Sequence, residues 1–69
     1  MILESVSSTN IDKIGYDNTT RQLVVEIKGG KQYRYDGVPE NVYSSFKAAP
    51  SKGKYFSASI KGKYPYTKL

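Results

Sequence analysis

Three runs of alternating residues, separated by clusters of turn formers, constrain this chain most. In IDKIGYD, Ile14 and Tyr16 share a face. In QLVVEIK, Leu23, Val25 and Ile27 oppose Val24, Glu26 and Lys28. In KQYRYD, Tyr33 and Tyr35 oppose Gln32, Arg34 and Asp36. A period of two is the signature of a strand with one buried face. The intervening DNTTR is rich in turn formers and suits a hairpin loop. Gly29 and Gly30 can take φ > 0 and close a tight two-residue hairpin. These features predict a three-stranded antiparallel meander. Ahead of it, LESVSS adds an edge strand or remains an extended lead-in.

The period then changes. In DGVPENVYSSFKAAP, Val42, Tyr43, Phe46 and Ala49 stand at helical spacing. Pro39 fits the first turn, where a missing N–H costs nothing, and Glu40 suits the positive end of the helix dipole. Pro50 disfavours helical geometry at Ala49 and stops the helix. In SKGKYFSASIKG, the alternation of Phe56, Ala58 and Ile60 would suit a strand. Ser51 as an N-cap and the Phe56/Ile60 pair at i, i+4 point instead to a short second helix, with Gly62 capping its end. The tail KYPYTKL is expected to be extended, with Tyr64 or Tyr66 folded back on the core. The predicted fold is α+β, a three-stranded antiparallel β-meander followed by two short helices packed on one face. Leu23, Val25, Ile27, Tyr33, Tyr35, Val42, Tyr43, Phe46, Phe56 and Ile60 form the expected core.

Size limits what such a fold can do. Sixty-nine residues make one domain, 1–69. A chain this short buries roughly 60% of the surface its unfolded form exposes, leaving little room for an internal active site. It has no cysteine and no histidine, so it lacks disulfides, thiolate metal sites and the commonest metal ligand. The six acids, Glu4, Asp12, Asp17, Glu26, Asp36 and Glu40, form no close pair in sequence. The expectation is a non-catalytic protein that uses no metal or cofactor. No apolar run approaches the ~20 residues of a membrane span, and MILESVSSTN lacks the basic and apolar regions of a secretory signal. A soluble, cytoplasmic protein without integral membrane association is expected.

The charge is lopsided. Residues 47–69 carry six lysines and no acid, a net +6, while residues 1–46 carry a net −1. Such asymmetry favours an anionic partner, although lysine is also the default surface residue.

Several segments together resemble the KTSC domain, a small module at the C-terminus of some lysyl-tRNA synthetases and in stand-alone bacterial proteins. They are Ser7–Ser8, IGYD at 14–17, LVVEIKGG at 23–30, YRY at 33–35, VP at 38–39, VY at 42–43, SKGKYF at 51–56 and IKGKY at 60–64. The likeness runs through nearly the whole chain, and the family's Tyr-x-Tyr motif matches Tyr33 and Tyr35. It implies a module of undefined function, with RNA binding suggested by the synthetase context.

The residues themselves offer three candidate features. Tyr33 and Tyr35 share a strand face and would make a stacking platform for bases if exposed. Core is the stronger reading for the pair, because the opposite face of that strand is polar. In SKGK, Lys52 and Lys54 would lie in the first turn of a helix, where cations oppose the dipole by about 0.3–1 kcal/mol each. A capping box would want Glu or Gln where Lys54 stands. Ser51, a glycine and two lysines are what a phosphate or carboxylate would use, although both lysines would also be at home pointing into water. GKY has tyrosine where a nucleotide-hydrolysing P-loop needs Ser or Thr. Lys61 and Lys63 flank Gly62 and extend the basic strip, with Arg34 in support if the outer sheet face adjoins it. Lysines neutralise phosphates without reading sequence. The residues thus predict a largely sequence-independent nucleic-acid-binding module, and the resemblance implies RNA rather than DNA as the preferred partner. The alternative is a protein-interaction or regulatory module docking an acidic surface on a protein partner.

Overall fold

A computed structural model describes residues 2–69. The elements run β1 (Glu4–Ser5), β2 (Ile11–Asp17), β3 (Gln22–Ile27), β4 (Gln32–Asp36), α1 (Glu40–Ala48), α2 (Lys52–Tyr55), a π-helical turn (Phe56–Ile60) and β5 (Tyr66–Lys68). All strand pairings are antiparallel, in the order β1-β2-β3-β4-β5. The α+β class and the three central strands match the sequence expectation. The strand number does not. Among the described residues the sheet has five strands, because the lead-in contributes β1 and the tail contributes β5. Two and three residues are too few to display a period of two, so these edges leave no alternation to read. Main-chain bonds fasten the tail to β4, from Asp36 N–H to the Pro65 carbonyl (2.9 Å) and from Leu69 N–H to the Gln32 carbonyl (2.9 Å).

Register places Ile14 opposite Val25, Tyr16 opposite Leu23, Leu23 opposite Tyr35, and Val25 opposite Tyr33. These side chains share the face that carries both helical segments. A bulge between Ile11 and Lys13 shifts the alternation, so that Ile11 pairs with Ile27 and turns inward with Ile14 three residues later. Ile11, Ile14, Leu23, Val25, Tyr35, Val38, Phe46 and Ile60 form the buried core. Of the expected core residues, Ile27, Tyr33, Val42, Tyr43 and Phe56 are partly buried and pack against it. Ile11, Ile14 and Val38 enlarge the expected set.

The turns reflect local chemistry. The Asp17 carboxylate accepts from Thr19 N–H (2.9 Å) and so closes the first hairpin loop. The second turn runs from Ile27, whose carbonyl accepts from Gly30 N–H (3.1 Å), to Lys31, whose carbonyl accepts from Ile27 N–H (2.9 Å). It is one residue longer than the predicted two-residue loop, with Gly29 and Gly30 both at positive φ. Pro39 stands one place ahead of the predicted position, as the extended N-cap of α1, and its carbonyl accepts from the N–H groups of Val42 and Tyr43. The helix stops before Pro50, with Ala49 extended.

Ser51 caps α2 as predicted, its hydroxyl accepting from Lys54 N–H (3.4 Å). One α-turn then widens into the π-turn, where Lys61 N–H reaches the Phe56 carbonyl (2.8 Å). Ile60 is buried at its end. Lys61 (φ −63, ψ 123) and Gly62 (φ 80) have the angles of a type II turn, closed by Lys63 N–H on the Ile60 carbonyl (3.0 Å). Gly62 therefore serves that turn rather than directly capping a helix. No helix among the described residues is long and apolar enough to cross a membrane.

Candidate nucleic-acid interface

The lysine-rich segment folds against a polar loop distant in sequence. Residues 7–10 face residues 50–54 and Ser57 across an open cleft of about 880 Å³. The loop is held where it enters β2. Ile11 N–H donates to the Ser8 hydroxyl (3.3 Å), and Lys28 N–H donates to the Asn10 carbonyl (3.0 Å). Ser7 and Ser8 are thereby brought against SKGK, across which Ser51, Lys52 and Lys54 all line the cleft. Lys52 is half-buried, and its ammonium donates to the Ala49 carbonyl (3.2 Å). Lys54 is exposed.

A second cleft, of about 550 Å³, opens beside the first at the end of the sheet where β2, β3, β4 and β5 meet the π-turn. Tyr33, Tyr35, Tyr66 and Phe56 line it, with Lys28 and Lys61. The two clefts share Asn10, Gly53 and Ser57. Lys68 is the register partner of Tyr33 and so lies on the same sheet face. Lys63 is exposed beyond the type II turn and lines neither cleft.

Ion pairing sorts the cations. Lys28 pairs with Asp12 (2.8 Å), Arg34 with Asp36 (3.2 Å) and Lys47 with Glu4 (3.6 Å). The Lys28 ammonium holds the Asp12 carboxyl below its ordinary pKa. Lys47 also lies 5.6 Å over the Tyr43 ring. Lys13, Arg21, Lys31, Lys52, Lys54, Lys61, Lys63 and Lys68 enter no salt bridge among the described residues. Three of them, Lys52, Lys54 and Lys61, converge on the paired clefts.

Arg34 lies elsewhere. It is on the outer face of the sheet, between Val24 and Thr67 in register. That face is mixed in charge, with Gln32 bonded to Glu26 (2.8 Å) and Asp36 beside Arg34. The sheet stands between Arg34 and the lysine clefts.

The tyrosine pair faces inward, as the polar opposite face of its strand implies. Tyr35 is buried, its ring edge-on to Phe56 (5.5 Å, 83°) and tilted against Tyr66 (5.6 Å). Burial pushes the Tyr35 hydroxyl pKa up, and neighbouring Tyr66 and Tyr33 add to the shift. Tyr33 is half-buried and meets Tyr66 edge-on (5.9 Å, 67°). The exposed ring of this group is Tyr66, 60% accessible; of the two tail tyrosines expected to fold back, Tyr64 is the one that packs against the core.

Asn10 and Ser57 also escaped sequence reasoning, whereas Gly53 entered it as the glycine of SKGK. Gly53 carried a signal, since a glycine inside a helical pattern costs about 0.5–1 kcal/mol relative to alanine. No backbone demand explains it. It is not among the positive-φ glycines, and a Cβ there would meet only the Asn10 carboxamide nitrogen, at an ordinary 3.5 Å.

Comparison with known proteins places this arrangement in a family. Over 59 residues, 86% of this chain, the sequence is 42% identical to a lysine–tRNA ligase of Trichormus variabilis and 37% identical to one of Nostoc punctiforme. The matched part is 10% of each ligase, so the chain spans about a tenth of their length. A protein of Tsukamurella paurometabola is 31% identical over 90% of this chain and 92% of its own. The crystal structure of a KTSC domain protein from Yersinia pestis superposes with a TM-score of 0.94 at 40% identity, covering 99% of this chain and 96% of that one. With the KTSC domain model matching residues 7–64, from the serine loop through the lysine turn, the chain belongs to the KTSC domain family.

Proposed function

We propose that this domain is a non-catalytic module that binds nucleic acid through the lysine-lined clefts, largely independently of sequence. The observation that carries the reading is the convergence of Lys52, Lys54 and Lys61 on adjoining clefts without carboxylate partners among the described residues. Unneutralised ammonium groups around a concave polar surface attract phosphates. The hydroxyls of Ser7, Ser8 and Ser51 add hydrogen-bond donors of the kind that fix a backbone without reading bases. Lys63 extends the basic surface beyond the clefts. RNA is preferred to DNA because relatives matching most of this chain are named as lysine–tRNA ligases.

The test is fluorescence anisotropy with short single-stranded RNA and matched DNA at two salt concentrations, for the wild type and a Lys52→Glu, Lys54→Glu double variant. Binding that weakens with salt and is lost in the variant supports the reading. No binding even at low salt overturns it and points to an acidic protein partner for the same lysines.

A further inference from the structure

The first cleft offers groups for a phosphate backbone, but its apolar lining is Pro50 and Ala58, with no aromatic ring for a base to stack on. The adjoining cleft supplies the rings, with Tyr33, Tyr66 and Phe56 around it and Lys61 at its side. We infer that this aromatic cleft holds one unstacked base of a single strand whose phosphates run through the polar cleft, the backbone crossing between them over Gly53. The inference rests on the nucleic-acid reading above and deepens it.

Four observations support this arrangement. The cleft volume, about 550 Å³, falls within the range of roughly 300–1,000 Å³ typical of small-molecule sites. Tyr66 touches Tyr33 edge-on and Tyr35 at a tilt, and it stays 60% accessible, so part of its ring is open to a planar ligand. Every base has a π-face, so stacking of this kind is sequence-tolerant. Gly53 belongs to both clefts and presents bare backbone without any conformational need for glycine, which permits close approach of a ligand. Asn10 and Ser57 flank it, and neither side chain takes part in a hydrogen bond among the described residues. They stand where the sugar would pass. Charge selects the occupant: an apolar peptide side chain would fill the rings but leave Lys61, Lys52 and Lys54 without counter-charge.

The experiment compares a short oligouridylate with an abasic oligomer of equal length and charge, by anisotropy on the whole chain at low salt. The base-bearing strand is expected to bind roughly 5- to 150-fold more tightly. Tyr66→Leu, which keeps apolar contact with Tyr35, should bring it down to the abasic level and leave the abasic strand unchanged. Tyr66→Phe should behave as the wild type. Equal binding of both strands by the wild type overturns the inference while leaving the lysine reading intact. So does a Tyr66→Leu variant that changes neither strand or weakens both equally. Failure of every oligomer to bind removes both readings.

Discussion

The hydroxyl of Tyr16 donates to the main-chain carbonyl of Val38, 22 residues further along the chain. This bond ties β2 to the segment entering α1. The same Tyr16 ring stacks on Tyr43 at 4.7 Å, so one side chain secures the helix by both its polar and its apolar parts. Val38 is fully buried, and a carbonyl that loses its donor there has little access to water. Tyr16→Phe keeps the stack and removes the bond. It is expected to cost about 1–2 kcal/mol, read as a lower urea midpoint at unchanged m-value.

Alkaline pH should weaken the fold. Burial raises the hydroxyl pKa of Tyr16, Tyr35 and Tyr43 above the ordinary value of 10.0. Above about pH 10 the unfolded chain has released more phenolic protons than the folded one, so stability is level below that pH and falls as pH rises through the folded-state values. Urea midpoints measured from neutral to strongly alkaline pH should show this decline. Tyr16→Phe should flatten part of it. Midpoints that stay level through the alkaline range contradict the prediction.

Phe46 is the largest fully buried side chain and touches Tyr55 (5.7 Å) and Phe56 (6.3 Å). Phe46→Ala is expected to cost about 3–5 kcal/mol, a large share of the stability of a small domain. Its thermal transition should become broad or disappear, whereas Phe46→Leu should keep a cooperative one.

Much of the architecture is legible in the sequence, for a physical reason. β2, β3, β4 and α1 each hold enough residues to repeat their period, and Pro50 and Ser51 mark the break between α1 and α2. The failures share a cause as well. β1 and β5 are too short to repeat anything. Ile11 turns inward only because a bulge resets the alternation. Val38 is buried in a connection, where no period applies. At the candidate site, the lysines were visible as a composition bias, but their meeting with Ser7 and Ser8 depends on tertiary folding. Arg34 was read correctly as pointing away from the tyrosines. That orientation is also what separates it from Lys52 and Lys54.

RNA affinity should track the number of lysines at the clefts rather than the total charge. Three or four phosphate contacts would give a slope of about −2 to −3 in log affinity against log salt on a single strand. Lys61→Glu should reduce both affinity and slope. Arg34→Glu, on the other side of the sheet, should leave the slope unchanged. Equal effects from the two substitutions would contradict an interface confined to the clefts.

Gly53→Ala should move two observables in opposite directions. A methyl group there fits without a close contact and removes the glycine cost, so thermal stability should rise by about 0.5–1 kcal/mol. The same methyl group stands at the junction of the clefts and should weaken oligonucleotide binding. A variant that is both more stable and equally tight would show that the bare backbone at this place serves no ligand.

The outermost strands contain two and three residues. A neighbouring molecule seeking to zip onto either rim strand would find unpaired main-chain groups over only one or two ladder steps, too few to seed an extended intermolecular ribbon. A rim this brief gives a second copy of the domain little purchase for strand-to-strand association.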